Sequence, residues 1–392
     1  MRREILAAAL GLAATSVQAR GDLPPPLPTY TGAYQPQGVD ERGIWMLADE
    51  DERRLRDSQA VIGDAALNGY VRDVLCRTIG ADRCGSVRIY ILRQAAFNAW
   101  MTPNGTMVVH TGLLLRARDE AELAAVLGHE FAHFELRHSL ASYRKRRGAG
   151  DIVAWAGVLA SGAGTYAGVR TYQSIRTGAL GGVAAYGRDQ ERQADLLSMA
   201  YVGASPYDPR CFADLLGRVL DEADATAQGR RQQSTRYDRV AFFASHPTTL
   251  ERTGYLRAVA TDMGKTGVDE GERYRAAMMT WRPQFLADQM KLDEFEGTDY
   301  LLGRLAGDRW PADLLFARGE LYRARGNPRD LVAAVGFYRA AIAQDPGNAD
   351  AYRGLGLAQM RSRDPAAAAS LRTYLKMRPD AADGAMIETL LP

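Results

Sequence analysis

Residues 119–138 read DEAELAAVLGHEFAHFELRH, and this stretch decides the fold. Its apolar residues recur at steps of three and four from Leu123 to Phe134, which predicts an amphipathic helix with one face in a core. His129 and His133 are four residues apart, so their imidazoles lie on one face of that helix, one turn apart. Local structure alone therefore brings two nitrogen ligands for a metal together.

A zinc ion bound by two histidines needs a third protein ligand and keeps one position for water. Glu191 is the candidate, in a second predicted helix over residues 189–202 that ends before Pro206. Asp195, one turn further on the same face, is placed to orient a ligand histidine through its other ring nitrogen. Glu130 is the candidate general base, because it follows the first ligand directly. A solvated helix face would show the same acidic spacing, but the upstream histidines favour a metal site.

Three more polar residues have roles that spacing leaves open. His138 lies five residues after His133, off the ligand face, and is expected to support the site or the fold rather than bind the metal. His246, before Pro247, either stabilises the oxyanion of a tetrahedral intermediate, or binds the metal as a fourth ligand, or only caps a helix. Arg252 is placed to hold this loop or to pair with an acidic group.

The first 19 residues have the pattern of an export signal. Two arginines precede an apolar run at residues 5–17, and small residues end it. We expect cleavage after Ala19 and a periplasmic protein, with the export route left open. A single membrane anchor is the alternative, although the run is short for a bilayer span.

Two of the three cysteines are close in sequence. Cys76 and Cys84 lie on either side of a predicted helix-to-strand turn, and in an exported protein this pair predicts a disulfide. Two buried thiols are the alternative. Cys211 is left over and is expected in the core.

Composition limits the class of protein. The 392 residues are 46% hydrophobic, which is enough for two or three domains. The net charge of +2 does not support nucleic-acid binding. We expect a signal peptide at 1–19, a Pro-rich linker at 20–44, a zinc metallopeptidase domain at 45–260, a helical connector at 261–310 and tetratricopeptide-like repeats at 311–392.

Local patterns place elements around the metal helix. The sequence predicts helix from Trp45 to about Ile79 with Asp64 as a cap, and strands at residues 87–92 and 106–111. The uncharged run at residues 152–169 is either a membrane-touching lid or a buried helical hairpin.

The repeat prediction rests on two pairs of matching segments. Residues 316–319 overlay residues 353–356, and Asp345-Pro346 overlays Arg378-Pro379. The second pair is 33 residues apart, close to the period of tetratricopeptide repeats, whereas the first requires an insertion. An ordinary helical bundle is the alternative.

Several motifs occur in an order that resembles one family. They are NAW at 98–100, PNG at 103–105, TGLL at 111–114, HEFAH at 129–133, ERQAD at 191–195 and HP at 246–247. These motifs and their order resemble those of the zinc peptidase family that includes the CAAX prenyl endopeptidases and the heat-shock protease HtpX. The export signal and the repeats resemble its BepA-like periplasmic branch.

The resemblance implies a fold and an activity. The fold is mainly α (α+β), a gluzincin-type domain with a small β-sheet followed by α-helical tetratricopeptide repeats. The activity is that of a zinc metalloendopeptidase of the HExxH type. One Zn²⁺ per chain is held by His129, His133 and Glu191, with Glu130 catalytic and His246 matching the gating histidine of the branch.

A substrate-binding strand is implied as well. The segment at residues 98–114, with Asn98, Ala99, Trp100 and Gly105, resembles the edge strand to which an extended substrate adds through main-chain hydrogen bonds. The chain departs from the family pattern at residues 100–102, where smaller apolar side chains are usual, and at Asn104, where glycine is common.

Two functional hypotheses follow. The first is an endopeptidase for misfolded or stalled envelope proteins in the periplasm, with chaperone activity in outer-membrane protein assembly and docking to the assembly machinery through the repeats. The second is a largely non-proteolytic chaperone or scaffold with a self-blocked zinc site. Polypeptide substrates and peripheral membrane contact are compatible with either hypothesis. Processing of prenylated proteins is not expected, because that work needs several membrane-spanning segments.

Overall fold

The computed structural model of the protein describes residues 22–32, 34–147, 187–234 and 250–391. The expected export signal, the uncharged run at 152–169 and His246 lie outside these residues. Within the described ranges, no helix is both long enough and apolar enough to cross a membrane.

The N-terminal part is helical earlier than the sequence predicts. Helix α1 spans Gly38–Arg56, so it begins inside the segment expected to be a linker. Acidic residues in its first turn favour a helix start, and Ile44 and Ala48 bury one face of it. The chain leaves the helix after Arg56 and re-enters helix at α2, Ala65–Ile79, where the Asp64 carboxylate accepts a hydrogen bond from the backbone N–H of Leu67 at 2.7 Å. The predicted cap is confirmed, but the predicted helix is two helices.

A disulfide joins Cys76 of α2 to Cys84 of the short helix α3, Ala81–Cys84. Cys211 is a free, partly buried thiol. Burial raises the pKa of this thiol well above its usual value, which keeps it protonated.

A small sheet follows α3. Its strands are β1 at Arg88–Leu92, β2 at Ala99–Met101 and β3 at Thr106–His110, in the order β1-β3-β2. β3 pairs with β1 in parallel and with β2 in antiparallel register. The backbone of residues 60–62 covers the outer edge of β1. β2 is therefore the other edge of the sheet.

Two details of the strand predictions are wrong. The second strand ends at His110, and Thr111 begins helix α4, Thr111–Arg116. The expected edge stretch from 98 to 114 is thus a three-residue strand, a turn, a second strand and a helix. The turn needs glycine, because Gly105 has a φ of +89° and a Cβ there would lie 2.5 Å from the backbone oxygen of Ser86.

The metal-motif helix lies at the centre of the peptidase part. Helix α5 spans Glu120–Glu135, and the Asp119 carboxylate caps it by accepting from the N–H of Glu122 at 2.8 Å. It packs against α2, β2 and two later helices, α7 at Arg188–Ala204 and α8 at Arg210–Gly229. Helix α6, His138–Arg147, follows α5 after a short break, and α9, Leu250–Met263, packs on α7 and α8. As predicted, α7 ends before Pro206.

The rest of the chain is helical. The connector contains α10 at Gly271–Met278, α11 at Arg282–Met290 and α12 at Phe295–Ala306. Four longer helices and a short one follow, namely α13 at Ala312–Arg325, α14 at Pro328–Gln344, α15 at Ala349–Arg361, α16 at Ala367–Met377 and α17 at Gly384–Thr389. The mainly α fold with a small sheet is confirmed. The domain boundaries stay predictions, and α9 runs across the one placed at residue 260.

The overlaid segments occupy equivalent places in two packed helix pairs, α13 with α14 and α15 with α16. A Cβ on Gly319 of α13 would lie 2.7 Å from the ring of Tyr338 on α14, and one on Gly356 of α15 would lie 2.6 Å from Leu371 on α16. In each pair a glycine lets the second helix approach closely. Both second helices end just before the overlaid pairs, Asp345-Pro346 and Arg378-Pro379. The assignment to the tetratricopeptide class remains a prediction.

Candidate metal centre

The close packing of α5 on α7 brings the predicted ligands together. Gly128, directly before the first histidine, lies where a Cβ would be 3.1 Å from Oγ of Ser198 on α7. The Ser198 hydroxyl in turn donates to the carbonyl of Ala125 at 2.7 Å. A small residue and a hydroxyl therefore fix the distance between the helix that carries the histidines and the helix that carries Glu191.

Three side-chain atoms converge between these helices. Nε2 of His129 lies 3.1 Å from Nε2 of His133, and each is 3.6 Å from an oxygen of Glu191. All three side chains are buried. Ligands bound to a tetrahedral zinc at the usual lengths are about 3.4 Å apart. The spacing and the donor types, two imidazoles and one carboxylate, therefore fit a divalent zinc ion.

Asp195 lies behind the first histidine, as the sequence predicts. Its Oδ1 is 2.9 Å from Nδ1 of His129. A histidine that binds a metal through Nε2 carries its proton on Nδ1, and a carboxylate on that side holds the ring in the binding tautomer. Asp195 is fully buried, so its charge requires a partner.

Arg252 is that partner. From α9 it donates to both oxygens of Asp195, at 2.7 and 2.9 Å, and it also lies 3.0 Å from Oε2 of Glu191. Burial alone would raise the pKa of Asp195, but the guanidinium charge and the contact with His129 outweigh it and hold the pKa well below its ordinary value. Of the two open roles for Arg252, the structure supports pairing with acidic groups.

Two contacts of the site were not foreseen. The hydroxyl of Tyr255 donates to Asp195, and the amide oxygen of Gln193 lies 3.0 Å from Nε2 of His138. Tyr255 is one helical turn after Arg252, so its position on that face was available in the sequence. Gln193 points away from the Glu191 face, and nothing in the local pattern relates it to α6.

Glu130 and the edge strand lie near the ligands. The Glu130 side chain is buried, on α5 beside the first histidine, and β2 packs against the same helix. Ala99 joins the main core with α5, whereas Trp100 points to the opposite face of the sheet. There Trp100 packs edge-on against His110, whose pKa burial lowers to about 4, so that imidazole is neutral. Asn98 precedes the strand and is buried.

The family assignment follows from comparison with known sequences. The sequence model of Peptidase family M48 matches residues 65–260, half of the chain, and this range includes α5 and α7. This chain belongs to peptidase family M48. The resemblance found in the motifs is thereby confirmed.

Individual relatives agree with the family. A putative beta-barrel assembly-enhancing protease of Vibrio cholerae serotype O1 is 31% identical over 47% of this chain and 39% of its own length. The beta-barrel assembly-enhancing protease of Yersinia pestis is 25% identical over 83% of this chain and 64% of its own length. The metalloprotease YcaL of Escherichia coli K12 is 32% identical over 57% of this chain and 83% of its own length. The chain thus spans less than two thirds of either assembly-enhancing relative.

Proposed function

We propose that this chain is a zinc-dependent endopeptidase. The observation that carries the proposal is the convergence of His129, His133 and Glu191, whose ligand atoms lie 3.1–3.6 Å apart in a buried site. Family membership supports the same chemistry, since relatives such as YcaL are named metalloproteases.

The roles of the side chains follow from their positions. A bound zinc ion would act as a Lewis acid toward the scissile carbonyl and the attacking water. Glu130, beside the first ligand, takes the proton of that water and passes it to the leaving amine. Asp195 and Arg252 keep His129 oriented and neutralise the buried carboxylates. An extended substrate adds to the edge of β2, so that its main chain runs alongside α5.

The decisive test compares wild-type protein with Glu130→Gln on a permanently unfolded substrate, such as reduced and carboxymethylated α-lactalbumin. With equal zinc content, the variant should cleave about 10²–10⁴ times more slowly, because a positioned base contributes a factor of that size. Glu135→Gln, at the last residue of α5, is the matched control and should cleave normally. Equal rates for wild type and Glu130→Gln would refute the proposal.

We place the activity in the periplasm, acting on misfolded or stalled envelope proteins and assisting outer-membrane protein assembly. The support is the expected export signal and the names of the relatives, which refer to β-barrel assembly. The helix pairs after residue 311 would supply the docking surface. In a strain dependent on this chain, replacing it with Glu130→Gln should lower the amount of folded β-barrel protein in the outer membrane. Unchanged amounts would contradict this role.

His246 discriminates between an enzyme and a scaffold with a blocked site. If it gates the metal, either as a fourth ligand or by stabilising the oxyanion, His246→Ala should strongly change the cleavage rate in one direction or the other. A scaffold would be indifferent to the substitution. The rate of fragment production from the same unfolded substrate decides between them.

A further inference from the structure

The second metal histidine has a contact on its far side that differs from that of the first. Nδ1 of His133 lies 2.9 Å from Nδ1 of His138, the first residue of α6. Nε2 of His138 lies 3.0 Å from the amide oxygen of Gln193 on α7. Both imidazoles are buried, with 1% and 3% of their surface exposed, so the contact between them is shielded from water.

If His133 binds a metal through Nε2, one arrangement of protons satisfies these two contacts. A ring that binds a metal through Nε2 must be neutral and carry its proton on Nδ1. The Nδ1–H of His133 therefore donates, and Nδ1 of His138 must be the bare acceptor. His138 then carries its proton on Nε2, which donates to the carbonyl oxygen of Gln193. Each contact has one donor and one acceptor.

We propose that His138 and Gln193 are positioning residues that hold His133 in its metal-binding tautomer. This inference rests on the proposed metal site and extends it to residues outside the ligand set. His129 has a carboxylate, Asp195, on its far side at 2.9 Å, whereas His133 has a neutral imidazole backed by a neutral amide. The two ligands are thus oriented by different chemistry.

The neutral partner limits charge in the site. Glu191 and Asp195 already place two carboxylates around Arg252. A third acidic group behind His133 would put three carboxylates around one guanidinium, so two buried negative charges instead of one would have no cation before metal binds. An imidazole–amide relay fixes the tautomer without adding that charge.

The test measures zinc affinity by competition with a chromophoric chelator, starting from metal-free protein. His138→Leu removes the acceptor and should weaken zinc binding about 10–100-fold, the usual effect of losing such a partner. His138→Asn keeps an oxygen acceptor near the position of Nδ1 and should restore most of the affinity. Gln193→Leu should weaken binding by a smaller factor, and Gln228→Leu, on α8 and away from the site, should leave it unchanged.

Equal affinities of wild type and His138→Leu would overturn the relay, as would an Asn variant no better than the Leu variant. Gln193 is at the surface, so Gln193→Leu should still fold. Its zinc affinity therefore tests the relay even if His138→Leu does not fold. A wild type that binds no zinc would overturn the metal site and the relay together, whereas zinc binding unaffected by position 138 overturns the relay alone.

Imidazole nitrogen NMR gives a readout independent of affinity. The chain has five histidines, so the spectrum of the zinc-loaded protein is tractable. His138 should appear as the neutral tautomer with its proton on Nε2, and His133 as the tautomer with its proton on Nδ1. A proton on Nδ1 of His138 would contradict the relay.

Discussion

Removing Arg252 should destabilise the protein more than removing any arginine at its surface. Its side chain is 7% exposed, and its guanidinium contacts two buried carboxylates, Asp195 and Glu191. Arg252→Leu leaves both without their cation, and losing one partner of a buried ion pair costs about 3–5 kcal/mol. We therefore expect the free energy of unfolding of the metal-free protein to fall by about that amount.

Arg257→Leu is the matched control. Arg257 lies on the same helix and pairs with Asp214, but both side chains are more than half exposed. Exposed pairs contribute about 0–1 kcal/mol. Urea unfolding, followed by circular dichroism and carried out with a chelator, measures both variants. Equal effects of the two substitutions would refute the reasoning.

Zinc provides a second comparison for the same variant. A bound divalent cation beside Glu191 would replace part of the charge that Arg252 supplied, so the loss in stability should be smaller in zinc-loaded protein than in metal-free protein. A loss that is the same with and without zinc would mean that Arg252 does not share Glu191 with the metal.

Two further outcomes follow from contacts away from the site. The hydrogen bond from Arg88 lowers the pKa of Glu52 to about 2, and a carboxyl with a lowered pKa stabilises the fold above its ordinary pKa and loses that contribution as the pH falls. Glu52→Gln should therefore lower the free energy of unfolding by about 1–2 kcal/mol at pH 7. In urea unfolding, the difference in this free energy between wild type and variant should shrink between pH 4.5 and 2. A difference that stays constant over this range would contradict the prediction. Gly319→Ala places a Cβ 2.7 Å from the Tyr338 ring and should destabilise the helix pair by about 1–3 kcal/mol. Gly336→Ala, in open space, should stabilise it by about 0.5–1 kcal/mol, and hydrogen exchange of α13 and α14 distinguishes the two.

The convergence of the three candidate ligands was predictable because its signals are local. The spacing of His129 and His133 requires only one helix, and Glu191 with Asp195 requires only a second. Asp64 and Asp119 follow ordinary capping preferences.

The remaining features depend on contacts between distant segments. The start of α1 at Gly38 depends on tertiary burial of Ile44 and Ala48, which competes with the signals of the proline-rich stretch before it. The strand order β1-β3-β2 follows from pairing between segments, and no local sequence pattern indicates which segments pair. The contact of His138 with Gln193 joins residues 55 positions apart, and no spacing rule relates them.

The measurement that tests the central claim most directly is zinc stoichiometry combined with X-ray absorption at the zinc edge. Wild-type protein should bind one zinc per chain, with two imidazoles and a carboxylate oxygen among its ligands. Glu191→Gln should lose most of the metal at a zinc concentration that saturates wild type, since the glutamine cannot offer a charged oxygen. Equal zinc content in both proteins, or a zinc bound without imidazoles, would contradict the account.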